Sequence, residues 1–574
     1  MTLTEKIGQM TQASNKEVSP AEVADHAIGS VLSGGSDNPS PNTPAVWADM
    51  VEEFAQAAVH TRLGVPLIYG VDAVHGHSNV GGATVFPHNI GLGAVDDADL
   101  VRRIGRVTAA EMMATGVRWA FAPTVAVPHD IRWGRTYEGY GRDSALVARL
   151  GSALVEGLHG DGAGPLDVLA CPKHFVGDGG TTWGSVSPPP WNHWWDEWGD
   201  DWRIDQGDTR IDEAEMRAEH LPPYESAVAA GALSIMASYS SWNGAKLHGH
   251  RYLLTDVLKG ELGFTGFVIS DWMGIDQLDA DYDRCVIEAI NAGIDMVMAP
   301  VEFRRFIDTA TRAVEAGAIT IDRIDDAVGR VLRAKAALGL FAERQTVPGL
   351  TVVGQPDHRR LAAEAARRSA VLLKNAGALP VGADEPIDLA GAAADDIGLQ
   401  CGGWTVGWQG GIGATTQGTT FFAALRAAGL ADVAFDSEGV FLERPPSRVG
   451  IVCIAEEPYA EGPGDSAVPT ATAPDREVFS RMRRRCERLI LIIFSGRPLL
   501  IPDLVSQADA VVAAWLPGSE ATQLPGLLTG DYSFEGRLPQ PWPQSESDLT
   551  NPDAISDSSS LPHFPRSSSG PNEV

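Results

Sequence analysis

The sequence predicts a parallel α/β architecture, with its first part of the TIM-like barrel type, on three observations. Short apolar runs of strand character alternate with longer helical patterns over the first ~340 residues. Seven runs stand out: AIGSVLSGG (27–35), PLIYGVD (66–72), WAFAPTVAV (119–127), DVLACPKH (167–174), LSIMASYS (233–240), FTGFVISDW (264–272) and GIDMVMA (293–299). Almost every run ends in a polar, chemically capable residue, and in a barrel such ends share one mouth, where active sites sit. Seven or eight units fit a barrel better than a doubly wound sheet, although periodicity by itself leaves both open.

Taken in order, the chain opens on MTLTEKIGQM, an amphipathic helix-like pattern with no basic segment followed by an apolar one. The seven runs follow, so residues 1–345 are expected to form the first domain. A Gly/Pro-containing connector at 346–356 marks the junction, and DHRRLAAEAARRSAVLLKN (357–375) reads as a helix. Alternation then resumes in GVFLERPPSRVGIVCIA (439–455), ERLILIIFSGRP (487–498) and ADAVVAAWLPGSE (508–520). Their Ile, Leu and Val content reads as a sheet buried on both faces, which places a second domain at 357–545. Beyond Pro543 the sequence turns Ser-, Asp- and Pro-rich, and 546–574 is expected to be a loose tail.

Composition excludes several functions. The 574 residues carry 44 basic and 75 acidic side chains, a net charge of −31. Nucleic acid and anionic membrane surfaces are therefore poor partners, because phosphate binding needs clustered Lys and Arg. The longest clean apolar run, Leu489–Phe494, is far short of the ~20 residues of a spanning helix. Five scattered cysteines show neither disulfide nor zinc spacing. Only seven of the 44 basic residues are lysines, which singles out Lys173. Neutral partners such as sugars remain.

Several residues carry chemistry. Asp271 directly follows the buried run FVIS; a carboxylate there is often only a helix cap, but Trp272 beside it offers the flat face a sugar ring stacks on. Lys173 and His174 end another run in KHFVGDGG. Neighbours in a strand face opposite ways, although both could tilt into a mouth. VDAVHGHSN supplies Asp72, His75 and His77, and RWGRTYEGYGRD supplies Arg135 and Glu138. The two histidines lack a third ligand for a metal, whereas Asp72 and Arg135 suit charge-assisted bonds to vicinal hydroxyls.

Six of the fifteen tryptophans fall between Trp183 and Trp202, interleaved with Asp196, Glu197, Asp200 and Asp201. Such a segment is either a loop packed on its own aromatics or a carbohydrate-facing flap in which Trp191, Trp194 and Trp198 line outer subsites. CGGWTVGWQGG sets Trp404 and Trp408 in a glycine-rich loop, and AEEPYAEGPGDS places Glu456, Glu457 and Glu461 after a strand.

The ordered set KIGQMTQ, YGVDAVHGHSN, RWGRTYEGYGRD, CPKHFVGDGGT, SYSSWNG, GFTGFVISDW and CGGWTVGWQG resembles glycoside hydrolase family 3, in its β-glucan exohydrolase and β-glucosidase branch, from about Leu3 to Trp542. The resemblance implies a (β/α)8 barrel followed by an (α/β)6 sandwich, with the active site between them. It implies Asp271 as nucleophile and Glu461 as acid/base, with Asp72, Arg135, Lys173, His174, Tyr239 and Met298 gripping the sugar. Trp272 with one or both of Trp404 and Trp408 would clamp the next ring. Lys173 and Arg135 would keep Asp271 anionic, and no metal or organic cofactor is required.

The implied activity is retaining, exo-acting release of glucose from β-glucans or β-gluco-oligosaccharides. Such chemistry needs two carboxyls ~5–5.5 Å apart. The rivals are a β-xylosidase or broad aryl-β-glycosidase, and a non-catalytic glucan-binding protein on the same fold. A secreted or periplasmic protein whose leader is absent from this chain is expected, a cytoplasmic one being the alternative. Two departures stand out: the Trp-rich segment is unusually aromatic, and a usually acidic position falls on Gln206 or Asp208.

Overall fold

The computed structural model describes residues 1–191, 202–342, 347–430 and 432–551. Eight short parallel strands form the first unit: β1 (Thr11–Ser14), β2 (Ser30–Ser33), β3 (Ile68–Val71), β4 (Trp119–Ala120), β5 (Leu169–Ala170), β6 (Ser234–Met236), β7 (Phe267–Ile269) and β8 (Val297–Met298). Ladders run continuously from β8 through β1 to β5, and β6 pairs with β7. Two isolated parallel bridges, Phe175 to Ala237 and Ile269 to Met296, join these sheets into a closed barrel. Seven of the eight strands lie within the predicted runs. β1 does not, because TQAS is polar and four residues long, yet all four are buried.

Alternation along the strands fills two compartments. Leu32, Ile68, Trp119, Leu169, Met236, Phe267, Ile269 and Met298 point into the barrel. Val31, Tyr69, Val71, Ala120, Ile235, Val268 and Val297 point outward against the helices.

The second unit is a six-stranded sheet of β9 (Val371–Asn375), β10 (Ile387–Ala390), β11 (Val433–Asp436), β12 (Val449–Ala455), β13 (Arg488–Phe494) and β14 (Ala510–Ala513), in the order β9-β14-β13-β12-β10-β11. All pairs are parallel except β9 with β14. On β13, Leu489, Leu491 and Ile493 pack on one layer of helices while Ile490, Ile492 and Phe494 pack on the other, so a continuous apolar run is what this position requires.

The reading of 357–375 as one helix is corrected. The helix Pro356–Ser369 stops before Ala370, and Val371–Asn375 turns extended to pair with β14. Alanine and arginine favour the helix, whereas Val371 and its leucines fit a buried ladder. The loose tail is corrected in part: Glu546–Thr550 is a capped helical turn with Leu549 buried.

Candidate active site

The carboxyl ends of the barrel strands meet loops of the second unit around a cavity of about 230 Å³. Asp72 follows β3, Lys173 and His174 follow β5, Tyr239 follows β6, Asp271 and Trp272 follow β7, and Met298 ends β8. Arg135 comes from the loop after β4. From the second unit come Trp404 and Trp408, in the loop after the helix Ile397–Cys401, and Glu461, in the loop after β12. All eleven residues singled out for the site thus line one cavity. Sequence reasoning missed Gly34, Gly35, Ser36 and Asp37 just beyond β2, and Phe121 and Met236 on the floor. Asp37 lies beyond both β2 and the run 27–35, so the strand-end rule that marks Asp72 does not reach it.

The polar groups form one connected network. Lys173 Nζ donates to Asp72 Oδ1 at 2.6 Å and lies 5.4 Å over the Trp404 ring. His174 Nδ1 is 2.6 Å from Asp178 Oδ2, and its Nε2 is 3.4 Å from Asp271 Oδ2. Arg135 grips both oxygens of Glu138 at 2.9 Å and donates through Nη1 to Glu461 Oε1 at 3.0 Å. Arg135 Nη2 is also 3.4 Å from His174 Nε2, so one arginine and one histidine stand between the two carboxyls, Asp271 and Glu461. Trp404 donates its indole N–H to Glu138 Oε1 at 3.0 Å, and the Tyr239 hydroxyl donates to the Trp272 carbonyl.

Asp271 caps no helix. Its Oδ1 accepts the Trp272 N–H at 2.7 Å, its own N–H donates to His248 Nε2, and the 3-10 turn Gly274–Gln277 starts three residues later.

Electrostatics separates the two carboxyls by degree. Burial pushes Glu461 well above the ordinary carboxylate range; Arg135 opposes the shift, and Asp205, Asp271 and Glu138 add like-charge repulsion. Asp271 is also pushed above its ordinary value by burial, against the pull of His174, Lys173 and Arg135. The three cations narrow the burial shift without reversing it.

His75 and His77 serve the scaffold. His75 stacks on His88 with centroids 3.6 Å apart, His75 Nε2 lies 3.2 Å from the Trp404 carbonyl, and His88 Nε2 lies 3.0 Å from the Gly403 carbonyl. Burial pushes His75 down to about 4, so the ring is neutral. His77 bonds Thr115. Gln206 and Asp208, at the departing position, do not line the cavity; Gln206 Oε1 accepts from Gln277. Of the Trp-rich segment, Trp183 packs on Arg132 at 4.5 Å and Trp191 donates to the Asp276 carbonyl at 3.2 Å. Trp194, Trp195 and Trp198 lie outside the described residues.

A half-buried carboxyl pair at a barrel mouth, flanked by a lysine–aspartate grip and indole faces, defines a glycoside-cleaving class of site. The comparisons with known proteins agree. Residues 2–334 match the glycosyl hydrolase family 3 N-terminal domain, and 370–570 match its C-terminal domain. The chain is 31% identical to a lysosomal beta glucosidase of Dictyostelium discoideum, over 96% of this chain and 72% of that protein. It is 29% identical to a periplasmic beta-glucosidase of Salmonella typhimurium, over 95% and 73%. A crystal structure of a mutant exo-1,3/1,4-beta-glucanase from a Pseudoalteromonas species superposes with a TM-score of 0.89 at 37% identity, covering 99% of this chain and 96% of that one. The chain belongs to glycosyl hydrolase family 3, and it is a glycoside hydrolase.

Proposed function

We propose that the protein is a retaining, exo-acting β-glucosidase and β-glucan exohydrolase that removes single glucose units from non-reducing ends. The observation that carries this reading is the meeting of Asp271 and Glu461, from different units, across one small cavity. Its floor is closed by Leu32, Phe121, Met236 and Met298, and its volume lies below the ~300–1,000 Å³ usual for larger ligands. One terminal sugar ring fits such a pocket; an internal stretch of polymer does not. Asp72 and Lys173 grip hydroxyls of that ring, and Trp272 and Trp408 flank the exit for the next.

In this mechanism Asp271 attacks the anomeric carbon while Glu461, held protonated by burial, gives its proton to the glycosidic oxygen. The glycosyl–Asp271 ester then reacts with a water deprotonated by Glu461, which restores both groups. The Arg135 cation compensates Glu461 while it is ionised between the two steps. Among the described residues no helix is long and apolar enough to cross a membrane. A periplasmic or secreted location follows the names of relatives such as the Salmonella protein, and cell fractionation tests it.

The deciding experiment follows borohydride-reduced β-glucan oligosaccharides by NMR in the first minutes of reaction. Glucose should appear as the first sugar released and as the β-anomer. The α-anomer defeats the retaining mechanism, internal cleavage defeats the exo mode, and faster release of xylose from xylo-oligosaccharides transfers the activity to the rival β-xylosidase.

A further inference from the structure

Glu461 sits on a loop of the second unit, yet the groups it works with belong to the barrel. The loop Glu461–Ser466 meets the barrel at two backbone segments. Asp465 accepts four main-chain N–H groups there: Gly134 on Oδ1 at 2.9 Å, and Arg203, Ile204 and Asp205 on Oδ2 at 2.9, 2.8 and 3.0 Å. Ser466 adds a backbone bond to the Arg132 carbonyl at 2.9 Å. The approach is as close as glycine permits. A methyl group on Gly134 would fall 2.1 Å from the Glu461 carbonyl, and one on Gly462 would fall 2.0 Å from the Trp202 ring.

Resting on the acid/base reading of Glu461, we propose that Asp465 is a positioning residue, a latch that fixes the Glu461 loop to the barrel and so sets the aim of the acid at the glycosidic oxygen. No partner of the latch touches the sugar pocket itself: Asp465, Arg203, Ile204 and Gly134 are absent from its lining. Three of its four donors immediately follow Trp202, the last tryptophan of the Trp-rich segment. A misplacement of about 1 Å in a catalytic group costs on the order of 10²-fold in rate.

The test compares kcat/KM on two substrates. Cellobiose has a sugar leaving group that needs a proton, whereas 2,4-dinitrophenyl β-glucoside departs as a stable phenolate and needs none. Asp465→Ala should lose about 100-fold on cellobiose and less than about 3-fold on the dinitrophenyl glucoside, with Asp465→Asn showing the same split at smaller size. A merely structural role would lower both substrates together or lower only the melting temperature, and either result overturns the latch. Should Asp465→Ala fail to fold, the split or its absence in Asp465→Asn decides. Glu461→Ala, run alongside, should show the split more strongly and regain turnover of the dinitrophenyl glucoside with azide. If Glu461→Ala behaves so and both Asp465 variants do not, the latch alone falls; if Glu461→Ala shows no split, the acid/base reading falls and takes the latch with it.

Discussion

The two halves of this site are built in different ways. Asp72, Lys173, His174 and Asp271 stand at or just beyond the ends of barrel strands, with closed ladders and a packed interior beneath them. Glu461, Trp404 and Trp408 stand on loops of the other unit and are held mainly by bonds that reach across to the barrel. On the proposed roles, the attacking group and the sugar grip inherit the rigidity of the barrel, while the proton donor depends on the fit between units. Dividing the carboxyls in this way lets one fold give them different surroundings, as acid and nucleophile require.

The barrel half predicts the largest effect. Asp271→Ala removes the group proposed to form the covalent bond. It should lower kcat on aryl β-glucosides by at least about 10⁴-fold, with the melting temperature little changed. Survival of substantial turnover would move the nucleophile elsewhere and break the comparison at its base. Because Asp271 is part-exposed and its Oδ1 caps only a neighbouring N–H, the loss cannot be assigned to unfolding if the melting curve holds.

The same division explains what was legible in the sequence. FVISDW reads correctly because a fully buried run ends abruptly in a carboxylate, and LILIIF reads correctly because both of its faces are covered. TQAS escaped because burial of polar residues in a barrel wall leaves no apolar trace. The strand Val371–Asn375 escaped because an alanine-rich helix runs straight into it. Least legible were the carboxylates that support the site from behind. Asp205 takes the Trp133 indole N–H across 72 residues of chain, and Asp465 takes backbone donors 260 and more residues away. No local pattern encodes such partners. The residues carried by the family resemblance were readable one at a time, and they line one cavity; the network joining them was not readable.

A smaller effect should separate the halves by pH. In the proposed mechanism Glu461 must be protonated and Asp271 ionised, so kcat/KM should fall on the acid side as Asp271 gains its proton and on the alkaline side as Glu461 loses its own. Asp205 is buried, lies within electrostatic reach of Glu461, and is itself pushed up to about 7 by burial and the nearby Asp465, against Arg135 and the Trp133 hydrogen bond. Above that pH its charge disfavours ionisation of Glu461. Asp205→Asn removes the repulsion while keeping the backbone N–H that Asp465 uses. The alkaline limb should move to lower pH by about one unit, and the acid limb, governed by Asp271, should stay. Movement of both limbs together would show that the carboxyls titrate as one pair and erase the division proposed above.

The smallest effect distinguishes two tryptophans on one loop. Trp404 is buried, donates to Glu138 and lies beneath Lys173, which ties it into the sugar grip. Trp408 is part-exposed and joins the barrel through its backbone N–H to Ser36 Oγ at 3.1 Å, with Gly35 packed against its Cβ. It also lines the cavity, where the proposed mechanism places the ring that leaves. Trp408→Ala should raise KM for a disaccharide by about 2- to 10-fold, the worth of one stacking contact, and leave kcat alone. Trp404→Ala should lower kcat instead, because Glu138 loses a donor and Arg135 loses the partner geometry that points it at Glu461. Initial-rate kinetics on cellobiose and laminaribiose measures both. If the two substitutions act alike on KM, the loop is a uniform stacking wall; if they split as expected, one residue of the second unit belongs functionally to the barrel.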